Sequence, residues 1–372
     1  MNSYNTTRKS VFSLLLAAFA CLLVVFTLSG CQQTAPEEST SEENASMAGK
    51  PLANPTPPAE YSKAVWKVDY VNEEITDDFV HDNWRTSKDE FPEEKVARLG
   101  ELGLNTEVSR AGMDTLQTIG GADFTSNQFD WILEQVEGMG VTPDKLTVLD
   151  LRGESHGLIN GDVFMYWISN NYVNESTPTE EVTKIEEDLL DGLKKEGTLE
   201  FFQTVNWGAA TDLPKLKYEN PTIMTEQELV ESKGVKYVRF ADTNHFRPDD
   251  HEVDLFVDFM AGVADDEWLF MHCYAGEGRT TNFMVMTDIY KNYKVASFDD
   301  IAARQGLIGP VDVRTEIIET GKTHYKMKAS TERRIFLQQF YNYAKDTNFK
   351  GKTWTEWCSE KDLTLQYIPP AK

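Results

Sequence analysis

The stretch from Trp268 to Asp288 constrains this chain more than any other. Trp268-Leu269-Phe270-Met271 is a short apolar run, as expected of a strand buried on both faces. A mostly apolar helix is predicted from Thr280 to about Tyr290, carrying Phe283, Met286 and Ile289. Between them lies His272-Cys273-Tyr274-Ala275-Gly276-Glu277-Gly278-Arg279-Thr280. A loop from the end of a strand into a helix N-terminus aims several backbone N–H groups at one spot. The helix dipole adds positive potential there, so the place suits a phosphoryl group. Gly276 and Gly278 allow the backbone freedom such a cradle needs. Arg279, six residues after Cys273, can close the ring and grip two phosphate oxygens with its planar fork. The same field favours a thiolate at Cys273, the form a nucleophilic cysteine requires. Thr280 is placed to hydrogen-bond the sulfur, and His272 to orient the loop.

The flanking sequence supplies a frame for that loop. Leu146 to Leu151 and Val235 to Phe240 read as further buried strands. Thr225-Glu226-Gln227-Glu228 is a capping box opening a helix that Gly234 ends. Val253, Phe256, Val257 and Met260 mark the apolar face of another helix, which Asp249 or Asp250 can cap. Alternating strands and helices predict an α/β fold with a central, mostly parallel sheet flanked by helices. Residues 158–222 break the rhythm and are expected to form an irregular or inserted subdomain. The 36 Lys+Arg against 61 Asp+Glu give a charge of -25. That excludes general nucleic-acid binding and electrostatic docking on anionic lipid. Four cysteines without a CxxC pair exclude a disulfide scaffold and a zinc site of that type.

The N-terminus carries Arg8 and Lys9, then an apolar stretch from Val11 to about Leu28, then Leu28-Ser29-Gly30-Cys31. This pattern is that of an export signal, and its ending resembles a bacterial lipoprotein box with Cys31 as the lipidated residue. The competing reading is a plain transmembrane anchor. The expected organisation is a signal peptide at 1–30, a disordered tether at 31–60 rich in Pro, Ser, Thr, Ala and Glu, and a domain at 61–372. It places the protein in the bacterial cell envelope, on the periplasmic or cell-surface side, held to a membrane by an N-terminal lipid. The oligomeric state is not encoded legibly.

His272-Cys273-x5-Arg279-Thr280 resembles the signature loop of the cysteine-dependent protein tyrosine phosphatase superfamily, and most closely its phytase-like branch, the bacterial inositol polyphosphate phosphatases. Asp150-Leu151-Arg152-Gly153-Glu154-Ser155-His156-Gly157, Thr225 to Glu228 and Thr280 to Asp288 are similar to that family too, with weaker matches at Arg304-Gln305, Ile308-Gly309 and the Trp354–Trp357 region. The resemblance implies a tyrosine-phosphatase-like α/β core with a small partial β-barrel. It implies hydrolysis of inositol polyphosphates through a cysteinyl phosphate, without metal or cofactor. By the same resemblance Cys273, Arg279 and Thr280 are catalytic, Tyr274, Ala275, Gly276, Glu277 and Gly278 surround the bound phosphate, and His245 contacts substrate. Arg85, Lys326 and Arg333 match basic positions that hold substrate, and Asp150, with His156, could line the pocket or pack the core.

One departure is plain. The family's acid loop reads Asp-His-x-x-Pro, whereas this chain has Asn244-His245-Phe246-Arg247-Pro248, with Asn244 lying 29 residues before Cys273. An amide cannot supply a proton at neutral pH, and loss of general-acid help typically costs about 10²- to 10⁴-fold. Asp242, Asp249 or Asp250 could substitute. The alternatives to an active inositol phosphatase are a weak or inactive relative that binds phosphorylated ligands, and a phosphatase of phosphoproteins. Glu277 is a second departure, since a carboxylate in the cradle repels anions unless it faces away.

Overall fold

The computed structural model describes residues 64–203, 215–314 and 324–363. The expected signal peptide and tether, with Cys31, therefore lie outside the described residues, as does the side chain of Lys326. Two sheets carry the fold. The first runs in the order β10 (Lys236–Arg239), β4 (Leu146–Asp150), β11 (Trp268–His272), β3 (Thr118–Gly121) and β2 (Arg85–Thr86). All its pairs are parallel except β2 with β3, as expected for a strand–helix alternation. Every residue of β4 and β11 is buried, because helices cover both faces.

The two faces divide these strands residue by residue. Leu146, Val148, Trp268 and Phe270 pack toward helices α2 (Ser126–Gly138) and α4 (Glu226–Ser232), meeting Phe129, Ile132, Leu229 and Val230. Leu149, Leu269 and Met271 face the opposite core, with α5 (Asp250–Gly262), α6 (Gly278–Asn292), α8 (His324–Thr347) and α9 (Trp354–Glu360) contributing Phe256, Phe283, Phe340 and Trp354. Successive residues of a strand point to opposite faces, so a strand covered twice must be apolar throughout.

The described part of 158–222, for which an irregular or inserted subdomain is expected, contains regular strands and a helix. With β1 (Val65–Tyr70) it builds a six-stranded mixed sheet in the order β8 (Lys215–Glu219), β7 (Thr198–Gln203), β1, β6 (Asp162–Trp167), β5 (His156–Ile159) and β9 (Ile223–Met224). Phe164 and Phe201 pack there with Leu190 and Leu193 of α3 (Thr179–Leu193). Its central strand β1 comes from far upstream, a partner no local pattern in 158–222 reveals.

The helix boundaries follow local chemistry. Thr225 and Glu228 exchange capping bonds of 3.0 and 2.8 Å, and Gly234 takes φ +76 just after α4. Asp249 occupies the N-cap position of α5 without a side-chain cap bond, and Asp250 instead accepts from Arg247 and the Trp354 indole. Among the described residues no helix is long and apolar enough to cross a membrane. Phe270→Ala, in the middle of β11, is expected to lower the unfolding free energy by ~3–5 kcal/mol, measured by chemical denaturation.

Candidate active site

The loop after β11 is held from outside. The Tyr274 carbonyl accepts from the Tyr70 hydroxyl at 3.4 Å and the Asp123 N–H at 3.3 Å. The Ala275 carbonyl accepts from Asn83 Nδ2, and the Gly276 carbonyl from Arg85, both at 2.8 Å. A peptide's N–H points opposite to its C=O, so pulling these carbonyls outward turns the neighbouring amides into the bowl. The N–H groups of Tyr274, Ala275, Gly276 and Glu277 have no acceptor among the described residues. Gly276 is obligatory: its φ is +68, and a Cβ there would collide with the main chain of Gly121 and Ala122.

Cys273 lies at the floor, 3% exposed. The Thr280 hydroxyl donates to its sulfur at 3.2 Å. Burial alone would raise the thiol's pKa, but the Arg279 guanidinium and the hydrogen bonds from Thr280 outweigh it, leaving the thiol below its ordinary value. Arg279, buried at the start of α6, forks onto Glu154 with bonds of 2.6 and 2.9 Å. One of its nitrogens also donates to the carbonyls of Leu151 and Asp242. Its Nε has no partner among the described residues. Behind the nucleophile, His272 Nε2 meets Glu226 Oε1 at 2.8 Å, and the other oxygen of Glu226 lies 3.2 Å from His156. All three side chains are buried.

Several residues expected at the substrate are placed elsewhere. Arg85 is buried behind the loop, donating to the carbonyls of Asn83 and Gly276 and to Thr281 Oγ1, so it supports the cradle rather than lining it. Asp150 is inaccessible: it accepts from the Arg152 N–H and Tyr237 and sits 3.1 Å from Arg239 Nε. His156 is likewise core, among Asp150, Glu186 and Glu226. Both were read from a strand end, where a polar residue can equally face the interior. Glu277 is exposed at the N-cap of α6. Tyr274, Ala275 and Gly278 are partly exposed around the bowl.

The loop from Asn244 to Pro248 lies against this centre. Asn244 donates to the Asn170 carbonyl at 2.8 Å, and His245 Nδ1 is 3.4 Å from the Tyr172 hydroxyl. Arg333 of α8 donates to the His245 carbonyl, and a Cβ on Gly278 would lie 3.1 Å from its guanidinium. Arg333 thus touches both the acid loop and the cradle. Sequence reasoning assigned no role to Glu154 or Glu226. Their signal lay in the Asp150–Gly157 segment and the capping box, which were noticed for other reasons.

A buried thiol at the C-terminal end of a central parallel strand, inside an inward-facing amide loop closed by an arginine, defines the tyrosine-phosphatase-like α/β fold. The PTP-like phytase family model, described as inositol hexakisphosphate, matches residues 149–291. The chain is similar to the PTP-like myo-inositol phosphatase of Mitsuokella multacida in complex with myo-inositol-(1,3,4,5)-tetrakisphosphate, at 31% identity and TM-score 0.71, over 86% of this chain and 50% of that one. It is also similar to a PTP-like phytase from Bdellovibrio bacteriovorus, at 27% identity and TM-score 0.60, over 82% of this chain and 97% of that one. Effector protein hopD2 of Pseudomonas syringae pv. tomato is 30% identical over 218 residues, 57% of this chain and 46% of that protein. The chain thus spans about half the length of the Mitsuokella and Pseudomonas proteins. It is similar to the phytase-like branch of the protein tyrosine phosphatase superfamily, over residues 149–291 in the family model and over 82–86% of its length in the solved structures.

The thiol environment gives a direct expectation. The pH midpoint of Cys273 alkylation by iodoacetamide should fall below that of a free thiol, and Thr280→Val should raise it, because the thiolate loses a hydrogen bond that favours it.

Proposed function

We propose that the chain is a cysteine-dependent phosphomonoesterase acting on myo-inositol polyphosphates. The observation that carries this reading is the pairing of a depressed Cys273 thiol with an Arg279 whose Nε is uncommitted, in a bowl of unpaired amides. The family and the inositol phosphate bound to the Mitsuokella relative support the substrate class. In the first step the Cys273 thiolate attacks phosphorus, the S–P bond forms and the P–O bond to the inositol breaks. The Arg279 Nε and the loop amides stabilise the equatorial oxygens, where charge concentrates. The departing alkoxide takes a proton from water, since the Asn244 amide has none to give. Water then cleaves the cysteinyl phosphate, and the Thr280 hydroxyl, already 3.2 Å from the sulfur, stabilises the thiolate that leaves. Arg333, buried and donating to the His245 carbonyl, steadies the acid loop beside the cradle.

Asn244 supports a second reading, a slow enzyme that mainly binds phosphorylated ligands, because its amide cannot protonate an alkoxide. By the sequence alone, lipidation at Cys31 would hold this activity at the envelope. The test is phosphate release from inositol hexakisphosphate by the full chain. Cys273→Ser should abolish turnover. Asn244→Asp should raise it by about 10² or more at acidic pH, while changing p-nitrophenyl phosphate hydrolysis little, since that leaving group needs no proton. Absence of turnover in every variant would sink the inositol phosphate reading.

A further inference from the structure

We propose that Asp242 is a positioning residue that seats the acid loop on Arg279 only as an uncharged carboxylic acid, confining the closed site to acidic pH. The inference deepens the phosphatase reading and rests on it where activity is the readout. Asp242 stands two residues before Asn244, where the loop meets the catalytic centre. Its carbonyl accepts from Arg279 and from the Gly153 N–H, each at 3.1 Å. A Cβ on Gly153 would come within 3.0 Å of that carbonyl, so main chain lies against main chain here. The contact fixes the loop to the guanidinium, and it carries the Asp242 side chain inward.

The side chain arrives without a partner. Asp242 is 2% exposed, and neither carboxylate oxygen has a hydrogen-bond partner among the described residues. The charged groups facing it come from three helices. Arg279 of α6 is committed to Glu154, and Arg333 of α8 donates to the His245 carbonyl. Asp249 and Glu252, at the start of α5, are acidic, and Glu252 accepts from the N–H and hydroxyl of Thr179. A bare carboxylate buried here would lose its hydration without gaining a counterion of its own.

The sign follows. Burial raises the Asp242 pKa well above the ordinary value; Arg279 and Arg333 pull it down, and Asp249 and Glu252 push it up. An open loop returns the group to water and to ordinary carboxylate behaviour. Closure is therefore unhindered while the free carboxyl is protonated. As pH rises past that range, the closing equilibrium weakens by about tenfold per pH unit, until the buried group itself ionises. The proton on Asp242 thus acts as a seat for the loop and not as the proton given to the leaving group, since both oxygens are buried from solvent.

The full chain and its Asp242→Asn and Asp242→Leu variants would be assayed from pH 4 to 8 on p-nitrophenyl phosphate and inositol hexakisphosphate. The expected result is that the neutral side chains carry the acid plateau toward neutral pH on both esters, while the parent chain declines. An unchanged descending limb would overturn the proposal, as would one uniform factor at every pH, the mark of a packing role. Selective loss on inositol hexakisphosphate would overturn it too, and make Asp242 a proton donor. Should the parent chain hydrolyse neither ester, the phosphatase reading fails by itself. Closure is then read from inorganic phosphate affinity in Cys273→Ser, with and without Asp242→Asn. Flattening of its pH dependence by the Asn variant supports the seat, and parallel curves overturn it.

Discussion

The fork of Arg279 on Glu154 is the interaction on which the rest of the site depends. Both side chains are at most 1% exposed, and they meet through bonds of 2.6 and 2.9 Å. Taking two ions out of water is costly, and removing one partner of such a pair typically costs about 3–5 kcal/mol because the other is stranded. Burial would raise the Glu154 pKa, yet Arg279 and Arg152 hold it far below the usual carboxylate range. The guanidinium is thereby fixed in plane before any phosphate arrives. Glu154 is steadied in turn: Arg152 bonds Asp123, and Arg239 donates to the carbonyls of both Arg152 and Glu154. Two sheets meet at this network, since Arg152 and Glu154 link the end of β4 to the start of β5. The geometry of the nucleophile is thus a property of the fold and not of the loop alone.

A charge of -25 is unexpected in a chain proposed to bind a polyanion. The resolution is distance. Surface carboxylates are screened over about 8 Å at physiological salt, whereas the cradle acts at contact through amides, a helix N-terminus and one arginine. The exposed Glu277 shows the same division, as its carboxylate stands in solvent while its N–H belongs to the loop. Net charge accordingly argues against nucleic acid as a general partner and says nothing against a phosphorylated small molecule.

What was legible in the residues was whatever depends on near neighbours. The strand-loop-helix around Cys273, the capping box at Thr225 and the apolar face of α5 all follow from spacings within one element. The mixed sheet did not, because β1 joins it from across the chain. Arg85 and Asp150 were misplaced for a related reason. A cationic or acidic residue near a strand end can face either the ligand or the back of the loop, and only its partners decide. For Arg85 the partner is a carbonyl 191 residues away; for Asp150 they are Arg239 and Tyr237 on the neighbouring strand.

The same dependence on partners changes how Asn244 should be understood. Its amide donates to the carbonyl of Asn170, a residue itself in the left-handed region at φ +61. An aspartate has no N–H to offer there and would set a carboxylate against a carbonyl oxygen. Asn244 therefore fits the anchoring of the acid loop as well as it fails the delivery of a proton. His245 reinforces the anchor: its ring lies edge-on to Tyr172, and its carbonyl accepts from Arg333. An aspartate at 244 would be freed from this contact and could turn toward the bowl, where an acid is useful. The amide favours a loop held down by hydrogen bonds over one that swings with its proton, and the buried carboxyl of Asp242 makes that hold conditional on pH.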